Sequence, residues 1–171
     1  VPDTSPADDP AGALDGDVVR SRDRWAPLGP AGRATALRVQ RHCENAAKIA
    51  DFLAEQKQIE RVVYPGRADH PQHDIAKKQM RGGYGGMISF ELKNDSDAET
   101  RRVLSSTKLF SLAESLGGVE SLINHPASMT HASIPKEERI KNGLKDSLIR
   151  LSVGIEDADD LLEDLKQAIE G

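Results

Sequence analysis

One arginine lies inside an apolar strand pattern and is the residue best suited to bind an anion. Arg150 interrupts the run LIRLSV, where a positive charge is costly unless an anion pairs with it. A planar guanidinium matches a carboxylate with two parallel hydrogen bonds, so a strand-borne arginine in a cleft would suit an amino-acid substrate. The residues alone leave two other interpretations open: an internal pair with Asp or Glu, or an outward-facing position on a one-sided sheet.

The histidines give weaker signals of chemistry. His70 and His73 are three residues apart and could meet on one helical face, but two imidazoles without a nearby carboxylate or cysteine triad are a weak metal signal. His125 and His131 flank a stretch around Pro126, and a hydrogen-bonded loop histidine is the commoner case. The histidines therefore predict surface turns and loops, and we predict no metal site.

Two further motifs favour structural roles. The glycine-rich RGGYGG (81–86) follows a helix and precedes a strand, the reverse of the order that a phosphate loop needs, so a flexible entry into a strand is the preferred interpretation. Cys43 lies beside His42 in a helical pattern without an evident third orienting group, which favours a structural thiol.

Composition narrows the class of partner. The 171 residues carry a formal net charge of −5, which argues against a nucleic-acid module and against a surface for anionic lipid. No run approaches the roughly 18 apolar residues of a membrane span, and VPDTSPADDP lacks the features of a secretory signal. We therefore expect a cytoplasmic protein whose partners are small molecules or other proteins, with no nucleic acid and no membrane.

The chain divides at about residue 36. Residues 1–36 are dominated by Ala, Asp, Pro and Gly without a defined apolar face, which predicts an irregular or non-native extension. Apolar residues then recur at helical spacing, and we predict one long helix over 37–56 within a domain spanning 37–171.

Strand and helix patterns alternate through that domain. Short strands are predicted in IERVV, GMISFEL, LFSLAES, GVESLI and LIRLSVG, and helices in PQHDIAKKQM, SDAETRRVLSST and DADDLLEDLKQAIE. Ser96 is the predicted N-cap of the helix in SDAETRRVLSST, and the final helix is predicted to begin at Asp157. This order predicts an α/β fold, with helices packed on one mostly antiparallel or mixed sheet.

Two long segments resemble a known enzyme family. The segments SLAESLGGVESLINHPASMTHASI (111–134) and SLIRLSVGIEDADDLLEDLKQAI (147–169) resemble the C-terminal part of cystathionine γ-lyase and cystathionine γ-synthase, members of the Cys/Met-metabolism family of pyridoxal-phosphate enzymes. RHCENAAKIADFL, YPGRADHPQHDIAKKQM and GGMISFEL resemble the segments that lead into that part. The resemblance covers residues 37–171.

The resemblance implies the small C-terminal domain of the type I aminotransferase fold, preceded by a connecting helix. In that family the cofactor-bearing lysine and the other groups that hold pyridoxal phosphate belong to a larger upstream domain. Residues 1–36 resemble none of these groups and contain no lysine. The resemblance therefore implies a carbon–sulfur lyase or transferase family, whereas no catalytic residue is expected in this chain and cofactor binding by this chain alone is not expected.

The resemblance also assigns substrate-binding residues. Arg150 matches the arginine that holds the substrate α-carboxylate, and Ser115 matches a residue lining the substrate pocket. Glu114 matches a neighbouring position associated with substrate and reaction preference, and Thr130 lies in the motif MTH near the pocket entrance. The ligand class implied is sulfur amino acids: cystathionine, homocysteine and cysteine.

Three functional interpretations follow. The favoured one is a truncated γ-lyase or γ-synthase, inactive alone, whose parent enzyme performs γ-elimination or γ-replacement. The second is a complementing subunit that pairs with a separate pyridoxal-phosphate domain, and the third is a non-catalytic module that binds an amino acid through Arg150. A homo-oligomer is expected because the isolated domain would expose the apolar surface that normally packs on the larger one.

Overall fold

The computed structural model describes residues 29–171, with side chains from residue 34 onward. Five helices and five strands follow one another along this part of the chain. Their bounds are α1 Gly29–Glu55, β1 Ile59–Val63, α2 His73–Gln79, β2 Met87–Leu92, α3 Asp97–Ser106, β3 Ser111–Leu112, β4 Leu122–Asn124, α4 Lys136–Lys141, β5 Leu148–Ser152 and α5 Ala158–Glu170. The residues from Arg38 to Gly171 form one compact unit.

The sheet is mixed and confirms the predicted fold class. Its strand order is β1-β2-β5-β4-β3, in which every neighbouring pair is antiparallel except the parallel pair of β3 and β4. Strand β5 is therefore central, and strands β1 and β3 form the edges. A one-residue irregularity interrupts the pairing of β1 with β2 between Ile59 and Arg61.

The apolar core lies between one face of this sheet and three helices. Alternate strand residues point to opposite faces, so each strand presents one set of side chains to the helices and another set to the opposite face. The strands contribute to this core the side chains of Ile88, Phe90, Ile123, Ile149 and Leu151. Helices α1, α3 and α5 contribute Ala46, Ile49, Leu53, Val103, Leu161, Leu165 and Ile169. Burial of each large aliphatic side chain contributes about 1.5–3 kcal/mol, which is why this face holds the helices in place.

Local capping confirms two predicted helix starts. Ser96 Oγ accepts a hydrogen bond from the Glu99 amide, and Asp157 accepts one from the Asp159 amide. Both interactions satisfy an N–H that has no acceptor within the first helical turn. The caps therefore determine where α3 and α5 begin.

The structure contains one helix, α4, beyond the four predicted from the sequence, and two other elements differ in their bounds. Helix α1 begins at Gly29, eight residues before the predicted start at residue 37. The segment GPAGRATA lacks an apolar face, but its alanines and arginine favour a helix, and a proline is tolerated in the first turn. The expected irregular structure of residues 1–28 lies outside the described part of the chain. The strand predicted in LFSLAES is reduced to Ser111–Leu112, since its partner β4 is itself only three residues long.

Candidate functional site

Arg150 lies at the middle of the sheet, on the face opposite the three core helices. In the register of the strands it is directly opposite Ser89 of β2 on one side and Asn124 of β4 on the other. Directly opposite residues of an antiparallel pair share a face, with Cβ atoms roughly 4.5–5.5 Å apart. Arg150 is therefore flanked by two neutral polar side chains, neither of which can neutralise its charge.

The Arg150 side chain makes no hydrogen bond or ion pair within the described residues, and its Nε atom is buried without a partner. Two other partly buried charged side chains, by contrast, have partners of opposite charge. Glu91 accepts from Lys145 at 2.7 Å, and Arg102 binds Glu99 at 2.8 Å together with two carbonyl groups of α5. An internal Arg–carboxylate pair, one of the alternatives open from the sequence, is therefore not present in the described structure.

A loop crosses from β3 to β4 beside the Arg150 face. It carries Glu114 and Ser115, both of which are exposed. The amide of Ala113 donates to the Ile123 carbonyl at 3.1 Å, and the amide of Gly117 donates to Ser152 Oγ at 2.9 Å. Since Ser152 lies two residues after Arg150 on the same strand, it shares the face of Arg150. The structure thus attaches the loop that carries Glu114 and Ser115 to the strand that carries Arg150.

The far end of the same loop is held by Glu156. Its carboxylate accepts from the Ser121 amide at 2.6 Å and from Ser121 Oγ at 3.0 Å, while Ser121 Oγ also accepts from the Gly154 amide at 2.8 Å. These interactions link the end of the loop to the turn that follows β5. Sequence reasoning missed Ser121, Ser152 and Glu156; only Ser152 had a sequence signal, because it repeats the polar position of Arg150 two residues later.

Thr130 lies in the turn after β4 and is exposed. Its Oγ1 atom is 2.8 Å from His131 Nδ1, and no contact joins it to Arg150 among the described interactions. Of the four predicted binding residues, the structure therefore places Arg150, Glu114 and Ser115 on connected elements, while the described contact of the Thr130 side chain is to its neighbour His131.

His125, directly after β4, is buried and serves the fold. Its Nε2 atom is 2.8 Å from the Asp146 carbonyl and its Nδ1 atom is 2.8 Å from Ser128 Oγ. A carbonyl only accepts, so Nε2 carries a proton and donates, while Nδ1 can accept from Ser128. The ring thereby connects the start of the turn after β4 to the segment before β5.

The rings of His70 and His73 also bind main-chain groups. His70 Nδ1 accepts from the Gln72 amide, and His73 Nδ1 lies 2.9 Å from the Pro65 carbonyl with its ring against Tyr84. Within residues 29–171 no group of three or more His, Cys, Asp or Glu side chains could hold a metal ion.

The glycine-rich segment packs on α1 and does not form a phosphate loop. The amide of Gly85 donates to Cys43 Sγ at 3.2 Å, and Tyr64 Oη donates to the Gly85 carbonyl at 3.1 Å. At Gly83, with a φ of 144°, an added Cβ would lie 2.5 Å from Cys43 Cβ, so this position requires the absence of a side chain. Cys43 is a buried thiol in this packing.

The lysines of the described residues do not fit covalent attachment of pyridoxal phosphate. All ten lysines of the sequence fall in this part of the chain, and each is exposed. Lys136 and Lys145 donate to Asp146 and Glu91, which raises the pKa of both ammonium groups and so disfavours the neutral amine that an imine requires. The exposure of all ten lysines and the ion pairs of these two therefore do not fit a lysine that holds the cofactor.

Among residues 29–171, no helix combines the length and the hydrophobicity that a membrane span requires.

Comparison with known proteins shows the family. The family model described as Cys/Met metabolism PLP-dependent enzyme matches residues 16–170. The chain is 59% identical over 137 residues to a cystathionine β-lyase of Coxiella burnetii, covering 80% of this chain and 35% of that protein. It is 56% identical over 134 residues to a cystathionine γ-lyase of Dictyostelium discoideum, covering 78% of this chain and 34% of that protein.

A solved structure agrees with these sequence matches. A crystal structure from Campylobacter jejuni, described as an O-acetylhomoserine (thiol)-lyase with N'-pyridoxyl-lysine-5'-monophosphate, superposes with a TM-score of 0.75 at 44% identity. It covers 80% of this chain and 32% of that chain. The present chain thus spans about a third of the length of the relatives it matches. With matches of this extent in both sequence and fold, the chain belongs to the family of pyridoxal-phosphate-dependent enzymes of cysteine and methionine metabolism.

Proposed function

We propose that this chain is the substrate-carboxylate-binding domain of an enzyme of the cystathionine γ-lyase or γ-synthase type, which carries out γ-elimination or γ-replacement on a sulfur amino acid. The observation that carries the proposal is the unpaired Arg150 guanidinium at the centre of the sheet, attached through Ser152 to the loop of Glu114 and Ser115. A guanidinium that is partly shielded from water is stabilised most by a carboxylate that it can bind with two hydrogen bonds.

In this proposal each predicted residue has a distinct part. Arg150 holds the α-carboxylate and so orients the amino acid, an effect of positioning that does not involve bond-making. Ser115 and Glu114 lie on the tethered loop and contact the remainder of the ligand, and Thr130 has a lesser role at the entrance. None of them is assigned a proton transfer, and the chemistry of the cofactor is assigned to residues outside this chain.

Binding of carboxylate ligands tests the proposal directly. Titration of the 171-residue chain with L-cysteine, L-homocysteine and L-cystathionine, followed by NMR, should shift the Arg150 guanidinium signals, whereas cysteamine, which lacks the carboxylate, should not. Arg150→Gln should abolish the response. Arg61→Gln is the matched control, because Arg61 is an exposed arginine of β1 whose guanidinium lies 3.9 Å from the Glu91 carboxylate. Equal binding by wild type and Arg150→Gln would refute the carboxylate-binding role.

The proposal extends to assembly and location. We expect the chain to self-associate or to pair with a cofactor domain, and the exposed side chains of Leu109, Leu112 and Leu116 support this expectation. Sedimentation of the chain over a range of concentrations tests self-association. A monomer at every concentration would rule out self-association and leave pairing with a cofactor domain as the expected assembly.

The cytoplasmic location belongs to the same proposal and is checked by cell fractionation.

A further inference from the structure

Asn124 is the most unusual polar residue beside the candidate site. It is completely buried, and neither Oδ1 nor Nδ2 has a hydrogen-bond partner within the described residues. Buried amide groups are normally hydrogen-bonded, so an asparagine with both ends unpartnered calls for a specific explanation. An apolar residue of similar size would avoid this cost, which indicates that the amide is kept for a purpose other than stability.

The surroundings of Asn124 identify the group that it can serve. Asn124 is directly opposite Arg150 in the pairing of β4 with β5, and the unpartnered buried atom of Arg150 is the Nε donor. A carboxamide oxygen is an acceptor that complements an N–H donor without neutralising the guanidinium charge. The next residue, His125, is satisfied by Ser128 and Asp146, so the unpartnered side chain within this stretch is Asn124.

We propose that Asn124 is a positioning residue for Arg150: when a carboxylate is bound, Asn124 Oδ1 accepts the Nε–H of Arg150 and leaves the two terminal Nη groups to grip the ligand. This inference rests on the proposed function and specifies how the ligand is bound. A carboxylate can bind a guanidinium either through its two Nη groups or through Nε and one Nη group. When Asn124 occupies Nε, only the binding mode through the two Nη groups is open. Asn124 thereby selects one orientation of the amino acid.

The test compares ligand affinity with stability in the same variants. Asn124→Leu replaces both polar atoms by methyl groups on the same branched skeleton. The variant should unfold at least as high in temperature as wild type, while its Kd for L-cysteine rises about ten-fold, the loss expected for a hydrogen bond to a charged group. Asn124→Val, which suits a strand, serves as a second variant if the leucine variant does not fold. Ser89→Ala, on the other flank of Arg150, is the matched control and should leave the affinity unchanged.

Hydrogen exchange of the Arg150 Nε–H gives a readout that a purely structural role would not change. Saturating L-cysteine should slow this exchange in wild type and in Ser89→Ala but not in Asn124→Leu, and Asn124→Gln, which keeps the amide, should restore part of the protection. If the leucine variant binds L-cysteine as tightly as wild type, and L-cysteine slows its Arg150 Nε–H exchange to the same extent as in wild type, the role of Asn124 alone is overturned. Failure of wild type to bind any carboxylate ligand would overturn both this inference and the proposed function.

Discussion

The backbone N–H of Gly117 donates a 2.9 Å hydrogen bond to Ser152 Oγ, which joins the loop between β3 and β4 to the strand of Arg150. Gly117 is in the left-handed region with a φ of 80°, and this conformation is part of the turn that follows Glu114 and Ser115. Because the acceptor is a buried serine two residues after Arg150, the position of the loop depends on the same strand that positions the guanidinium.

Ser152→Ala should release this loop. Loss of the acceptor leaves the Gly117 amide unpartnered and should cost about 1 kcal/mol of unfolding free energy. Chemical denaturation measures the loss, and amide exchange should accelerate at Gly117. The control Ser133→Ala, at an exposed position, should change neither quantity, and an unaltered Gly117 exchange rate in Ser152→Ala would contradict the tether.

Gly154→Ala should be more damaging than Gly117→Ala, for a different physical reason. A Cβ at Gly154 would lie 2.7 Å from the Glu120 backbone carbon, so the backbone of the loop must move, and we expect a loss of about 3 kcal/mol. A Cβ at Gly117 meets open space, and the cost there is only the left-handed conformation, about 1 kcal/mol. Thermal unfolding of the two variants compares them, and equal losses would contradict the backbone contact at Gly154.

Asp164→Ala should destabilise the segment between α3 and β3. The buried Asp164 carboxylate accepts from the amides of Lys108, Leu109 and Phe110 at 2.7–3.1 Å. Removal of the acceptor for three N–H groups should cost about 3 kcal/mol. Glu163→Ala, at an exposed position of the same helix, is the control, and urea denaturation should separate the two variants clearly.

The ion pairs of Asp146 should make the free energy of unfolding fall as the solution becomes acidic. Its hydrogen bond to Lys136, together with the nearby Arg139, holds the pKa of Asp146 below its usual value. A depressed folded-state pKa means that the carboxylate stabilises the fold above the unfolded pKa of about 3.9, and that this contribution is lost as pH falls through the folded-state pKa. Asp146→Asn should therefore have a lower stability near neutral pH and a flatter acid dependence. Parallel stability curves for the two proteins below about pH 5 would contradict this contribution.

Arg150→Met should stabilise the isolated chain while removing its proposed function. The methionine keeps an apolar stem and removes an unpaired, partly buried charge, so we expect a gain of about 1 kcal/mol in unfolding free energy. Thermal unfolding measures the gain, and the L-cysteine titration measures the loss of binding. A lower stability would indicate that the guanidinium has a structural partner.

Much of the fold follows from local patterns. The apolar pattern in LIRLSV predicts β5. Ser96, as an N-cap, and Asp157, at the start of an acidic first turn, predict where α3 and α5 begin. These signals depend on residues close together in the chain. The apolar face of α5, with Leu161 and Leu165, is likewise visible as a helical repeat. The same pattern in LIRLSV singled out Arg150, because a charge in an apolar period is conspicuous without any knowledge of its neighbours.

Tertiary structure alone decided what surrounds that arginine. The sequence contains no signal that Asn124 is opposite Arg150, because strand order and register depend on long-range pairing that a local pattern does not encode. It also left open whether Arg150 has an internal partner, which only the packed sheet could answer. Local periodicity determined which residues form strands and helices. The pairing of β4 with β5, which involves residues far apart in the chain, determined that the Asn124 amide and the Arg150 Nε atom are buried side by side without partners among the described residues.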